Sequence, residues 1–177
     1  MRPGCVLLDR DGVINEDSDR YILSVAAWQP IAGSLEAIAR LTDAGIPVAV
    51  CTNQSAVNRG MLSGEGLAAI HRHMRTAITD AGGTLAGIFF CPHGSEAGCH
   101  CRKPAPGLIN EALRQLGCPP GNAVFIGDSQ RDIDAATRAG VPAWLVRTGN
   151  GRQTESFKAD DVPVYDDLAA AVDALLA

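Results

Sequence analysis

Val6-Leu7-Leu8-Asp9-Arg10-Asp11-Gly12-Val13-Ile14 is the stretch from which the rest of the chain can be read. An apolar run without polar alternation predicts a short strand covered on both faces. The run stops at Asp9 and Asp11, and Gly12 lets the chain turn. Carboxylates at the carboxyl end of such a strand sit where open α/β sheets bind ligands. Taken alone, Asp-x-Asp after a strand is equally well a polar turn or a helix cap.

The pattern repeats downstream. Strands are expected at Ile46–Cys51, Leu85–Phe90, Ala123–Ile126, Pro142–Val146 and near Val162–Tyr165. Helices are expected at Ser34–Ala44, Ser63–Ala81, Pro106–Leu116, Asp132–Ala139 and from Asp166 onward. Residues 147–157 read as a polar, glycine-bearing loop. Strands alternating with helices predict parallel pairing and a Rossmann-like three-layer α/β/α sandwich. Without repeat or linker, residues 1–177 read as a single domain.

Composition narrows the function. A 177-residue chain that is 46% hydrophobic can bury a core without disulfides. A net charge of -5 and no basic run argue against nucleic acid. No apolar stretch reaches the ~20 residues that span a bilayer. The chain enters its first strand directly, so no signal peptide is expected. Three of the six cysteines crowd beside His93, which points to metal binding and a reducing cytoplasm. No sticky stripe is evident, so a monomer is expected.

In a parallel sheet three strand ends share one edge: Asp9 with Asp11, Thr52 with Asn53, and Asp128. Carboxylates gathered there repel one another unless a cation intervenes. Mg²⁺ takes hard oxygen ligands together with waters and substrate phosphate. The edge therefore reads as a Mg²⁺ and phosphate site, with Lys103 as the cation and Thr52 as a hydroxyl donor for phosphoryl oxygens. Asp9 could attack phosphorus and form an aspartyl-phosphate. Asp11 could protonate the leaving oxygen and then deprotonate water. That role calls for surroundings that keep a proton on Asp11 near neutral pH.

Asp9-Arg10-Asp11-Gly12, Thr52-Asn53-Gln54, Arg102-Lys103-Pro104 and Gly127-Asp128 together resemble the four motifs of haloacid dehalogenase-like phosphatases, in order. The resemblance implies Asp9 as nucleophile and Asp11 as general acid/base. It implies Mg²⁺ held by Asp9, the backbone carbonyl of Asp11, and Asp128. It further implies that Thr52, Asn53 and Lys103 hold the transferring phosphoryl group. Asp132 could supply the second acid that many members carry, although Ser129-Gln130-Arg131 leaves that detail open.

Cys91-x-His93 and Cys99-x-Cys101 offer three thiolates and an imidazole, a closed tetrahedral set suited to structural Zn²⁺. His100 could replace one ligand. A metal would order a loop of little apolar content and aim Arg102 and Lys103. Zinc-loop members of the superfamily act on heptose bisphosphate or histidinol phosphate. Thr52 to Gly60 and Val146 to Gly151 are similar to the heptose branch; the short His93–Cys99 spacer is similar to the histidinol-phosphate branch. The heptose resemblance implies Mg²⁺-dependent release of the 7-phosphate, in the supply of activated heptose for cell-surface polysaccharide. It assigns Arg102, the loop Asp17-Ser18-Asp19-Arg20 and the segment Asn53-Gln54-Ser55 to substrate. Arg20 and Arg59 are further candidates for the distal phosphate, or plain surface charges.

No room exists for a large cap domain between Asp11 and Ser34, or after Thr52. His71 and His73 are expected on a wet helix face. Cys5, Cys51, Cys118, Trp28 and Trp144 are expected to pack. A non-catalytic zinc and phosphosugar-binding module would not need both Asp9 and Asp11. A redox protein would need a reversible disulfide in place of stoichiometric zinc.

Overall fold

Every residue of β1 (Cys5–Leu8) is fully buried, with β2 (Val48–Asn53) paired on one side and β4 (Ala123–Gly127) on the other. This is the placement that an unbroken apolar run requires. The computed structural model describes residues 2–158 and 160–177. β3 (Gly87–Cys91), β5 (Ala143–Val146) and β6 (Val164–Tyr165) complete a sheet of order β3-β2-β1-β4-β5-β6, and every neighbouring pair is parallel.

Alternate side chains of β1 define the two outer layers. Val6 and Leu8, with Val48, Val50 and Ile126, pack under α1 (Ser34–Asp43), α2 (Gly64–Asp80) and α6 (Leu168–Leu176). Cys5 and Leu7, with Ala49, Cys51 and Phe125, pack under α3 (Gly107–Leu116) and α4 (Gln130–Arg138). Each buried Leu or Ile contributes roughly 1.5–3 kcal/mol by leaving water. Trp28 joins the first core, edge-on to His73 with ring centroids 5.4 Å apart. The three-layer α/β/α expectation holds, and the sheet is parallel throughout. Residues 12–33 carry no helix or strand beyond isolated bridges at Asn15, so nothing like a cap domain interrupts that stretch. Among the described residues no helix is long and apolar enough to cross a membrane.

Several boundaries differ from the sequence reading, and three of the differences bear on the site. β2 runs on to Asn53 because Thr52 and Asn53 pair with Phe90 and Cys91. α4 starts at Gln130, where Ser129 and Asp132 form a reciprocal capping box. Residues 147–157 are not all loop: α5 (Gly151–Glu155) occupies the middle. Five residues are too few to display a helical period.

Candidate functional site

The carboxyl ends of β1, β2 and β4 open onto one cavity. Its walls are Asp9, Asp11, Asp17, Ser18, Tyr21, Asn53, Ser55, Arg102, Lys103, Asp128, Ser129, Arg131, Asp132 and Asn150. The cavity lies where an open parallel sheet is expected to hold a ligand.

Lys103 lies at its floor, almost wholly buried. Its Nζ donates to Asp132 Oδ1 at 2.6 Å and pairs with Asp9 Oδ1 at 2.9 Å. Burial works against its charge, but Asp132 and Asp9 outweigh it and hold the ammonium well above its ordinary value. Asn53 fastens the segment that carries Lys103. Its Nδ2 donates to the Lys103 carbonyl at 3.0 Å, and its Oδ1 accepts the Lys103 N–H at 3.0 Å.

Asp132 spends both oxygens inside the protein. Oδ1 takes Lys103; Oδ2 accepts from the N–H groups of Asp128 and Ser129 and from the Ser129 hydroxyl. Burial disfavours its charge, yet Lys103 and Ser129 keep its pKa low. Asp9 and Asp128 go the other way. Burial, with Asp132 nearby, pushes Asp9 up to about 7 and Asp128 up to about 8. Asp9 Oδ1 accepts the Arg10 N–H at 2.7 Å, while no described residue donates to Asp9 Oδ2.

Asp11 is gripped by donors. Arg10 Nε and Nη2 reach its two oxygens at 3.0 and 3.2 Å, and Asn15 and Gln54 amides donate at 2.9 Å each. Arg10 is itself fully buried, and its Nη1 meets His71 Nε2 at 3.2 Å. His71 is thus not on a wet face. Burial and the Arg10 charge push its pKa down to about 4, so the neutral ring accepts from Arg10.

The sulfur set comes together as expected, and of the expected Mg²⁺ set Asp9 and Asp128 come together with Asp132. Carboxylate oxygens of Asp9, Asp128 and Asp132 lie within 4.8 Å of one another. Lys103 offsets part of that charge, and Asp9 and Asp128 each keep an oxygen with no protein donor among the described residues. That set suits a hard cation. Cys91 Sγ lies 3.3 Å from Cys101 Sγ and 3.6 Å from Cys99 Sγ, and His93 Nδ1 lies 3.4 and 3.3 Å from Cys91 and Cys101. Zn–S arms of ~2.3 Å in a tetrahedron require donor separations of this order. No cysteine forms a disulfide. His100 stays outside the set. Arg102 Nη1 donates to the His93 carbonyl at 3.1 Å, so the sulfur cluster and the cavity wall share a peptide group.

Other expected substrate residues divide. Asp17, Ser18, Ser55 and Arg102 line the cavity. Gln54 does not: it is buried with its amide spent on Asp11 and Thr52. Thr52 is likewise fully buried, its hydroxyl accepting from Gln54 at 2.9 Å. Asp19 and Arg20 are exposed beyond the cavity wall, as is Arg59. The sequence reading missed Tyr21, Arg131 and Asn150 as wall residues. Asn150 lies in the glycine-bearing stretch Val146 to Gly151 that is similar to the heptose branch, but the sequence attaches no role to it.

A HAD-hydrolase-like family model matches residues 100–171. The D-glycero-beta-D-manno-heptose-1,7-bisphosphate 7-phosphatase of Bordetella bronchiseptica is 44% identical over 173 residues, covering 97% of each chain. The enzyme of that name from Pseudomonas aeruginosa is 43% identical over 177 residues, covering 99% of each. A crystal structure of the B. bronchiseptica D,D-heptose 1,7-bisphosphate phosphatase with magnesium and phosphate superposes with a TM-score of 0.94. It is 44% identical and covers 99% of this chain and 98% of that one.

Proposed function

The chain belongs to the D-glycero-beta-D-manno-heptose-1,7-bisphosphate 7-phosphatase family of HAD-like hydrolases, and from that membership we propose that it removes the 7-phosphate of this bisphosphate, leaving heptose 1-phosphate. The observation that carries the reading is the match of nearly the whole chain to relatives of that name. The relatives' names favour the beta anomer.

Asp9, the Asp11 carbonyl and Asp128 would hold Mg²⁺. When bound, the cation neutralises their charge and that of the phosphoryl oxygens. Asp9 Oδ2, the oxygen left without a protein donor, is the nucleophile; Oδ1 stays with Lys103 and the Arg10 N–H. Attack on phosphorus gives an aspartyl-phosphate, and the sugar oxygen leaves with a proton from Asp11. Asp11 then takes a proton from water, which attacks phosphorus, releases inorganic phosphate and restores Asp9. The donors around Asp11 suit that second half, in which it must accept. Lys103 and Asn53 steady the phosphoryl group, and Thr52 acts from behind through Gln54.

Cys91, His93, Cys99 and Cys101 would hold Zn²⁺ as a cross-link in a loop with little core of its own. Arg102, tied to His93, is then ready for a distal phosphate, which guanidinium geometry fits. Reduced cysteines suit a cytoplasmic setting.

The test is a parallel phosphate-release assay with Mg²⁺ on both anomers of the heptose bisphosphate and on histidinol phosphate. A lead of orders of magnitude in kcat/KM for the beta bisphosphate is expected. A lead for histidinol phosphate would replace the substrate assignment and make the short His93–Cys99 spacer the better guide.

A further inference from the structure

Asn150 joins two parts of the cavity wall that are far apart in sequence. Its backbone N–H donates to Asp128 Oδ2 at 2.7 Å, and its Nδ2 donates to the same oxygen at 3.2 Å and to Asp17 Oδ2 at 2.9 Å. Both bonds to Asp128 fall on one oxygen. The carboxylate is thereby held from one side, and its other oxygen has no protein donor among the described residues.

The bland reading is that Asn150 begins α5, where asparagine ordinarily caps the helix with its side chain. It stands at that position, but its side chain makes no cap bond. The amide is spent on the two acids.

The segment around it is well fastened. Thr148 Oγ1 donates to the Gly12 carbonyl at 2.6 Å. Thr154 Oγ1 donates to the Asp128 carbonyl at 3.0 Å and to the Asn150 carbonyl at 3.1 Å. Gly149, at φ 56, packs against Gly12, and a Cβ on either glycine would run into the Asp128 carboxylate. Arg147 pairs with Glu155 and Asp166 at 2.7 Å each. A side chain held on such a platform can fix the geometry of a neighbour.

We propose that Asn150 is a positioning residue: it sets Asp128 for the cation and ties that acid to the loop bearing Asp17. The proposal rests on the divalent-cation reading of the acid cluster. It goes further in making the 147–155 segment the link between cation site and substrate loop. Partners of metal-binding carboxylates commonly alter affinity about 10–100-fold when removed.

The test reads Mn²⁺ binding by electron paramagnetic resonance on the zinc-containing full chain, without substrate. Four proteins are compared: wild type, Asn150→Ala, Asp17→Ala and the double variant. Both positions are exposed, and zinc content with thermal midpoint serves as the folding control. Asn150→Ala keeps the backbone donor, so the loss expected is about tenfold, at the low end of that range. Asp17→Ala should weaken Mn²⁺ by less, although Asp17 is no ligand. The double variant should match Asn150→Ala alone. Wild-type affinity in Asn150→Ala, or losses that multiply in the double variant, would overturn the proposal. A wild type that binds no Mn²⁺ would overturn the cation reading beneath it, and the proposal with it.

Discussion

Two clusters of metal-ligating residue types, the sulfur set that ends at Cys101 and the oxygen set that surrounds Lys103, are built in opposite ways. The sulfur cluster comes from one short segment, and its donors all lie within 4.8 Å of one another, four of the pairs at 3.3–3.6 Å. The oxygen cluster is drawn from Asp9 after β1 and from Asp128 and Asp132 after β4. There the protein restrains one oxygen of Asp9 and one of Asp128 and leaves the other. A closed set has no position for substrate; an open set does. Under the proposed function, the contrast leaves the sulfur cluster to act on the reaction only through what it holds in place, namely Arg102, tied to the His93 carbonyl.

The sharpest way to break this contrast is to remove the nucleophile. Asp9→Asn should lower phosphate release by at least about 10⁴-fold, in line with other single losses from a reacting unit. Its circular dichroism should stay native. Turnover near wild type would remove the covalent route.

Next is the cation at the floor. Lys103→Met leaves Asp9 and Asp132 buried without their partner. Breaking a buried pair costs about 3–5 kcal/mol, which a shift in the denaturant midpoint would register. An unchanged midpoint would mean that Lys103 is dispensable to the fold.

Cys101→Ser tests the other cluster. Zinc content and thermal midpoint should fall. KM for the bisphosphate should rise more than kcat drops, because Arg102 loses its anchor while Asp9 and Asp128 keep theirs. A kcat effect alone would contradict the division between the clusters.

The smallest effect is expected at His71. Its folded pKa of about 4 lies below the ordinary 6.5, so the unfolded chain binds the extra proton between those values. Stability from this group is complete above about pH 6.5 and is lost as pH falls toward 4. His71→Gln should flatten the fall of the thermal midpoint across that window. A slope equal to wild type would show that Arg10 does not need the neutral ring.

How far the sequence could be read follows from the kind of contact. Residues whose chemistry depends on a strand end were legible, because topology alone brings Asp9, Asn53 and Asp128 to one edge. The sulfur set was legible because its spacing is local. Gln54 and Thr52, expected at substrate and phosphoryl group, are turned inward, Gln54 toward Asp11 and Thr52 toward Gln54, and a TNQ tripeptide does not reveal which way it points. His71 reads as a surface residue in its helix until Arg10 arrives from β1. Asp132 looked like a spare metal ligand, but its oxygens belong to Lys103 and the turn after β4. The stretch holding Asn150 stood out, but its role did not, because its partners Asp17 and Asp128 are brought to it only by the folded sheet edge.

The most direct measurement of the division between the clusters is a metal count taken alongside activity. The full chain is dialysed against a mild chelator, and zinc, magnesium and phosphate release are measured before and after adding back each metal alone. Close to one zinc per chain should remain, activity should vanish, and Mg²⁺ alone should restore it. Activity that persists without Mg²⁺, or that returns only with Zn²⁺, would place the chemistry at the sulfur cluster and contradict the account.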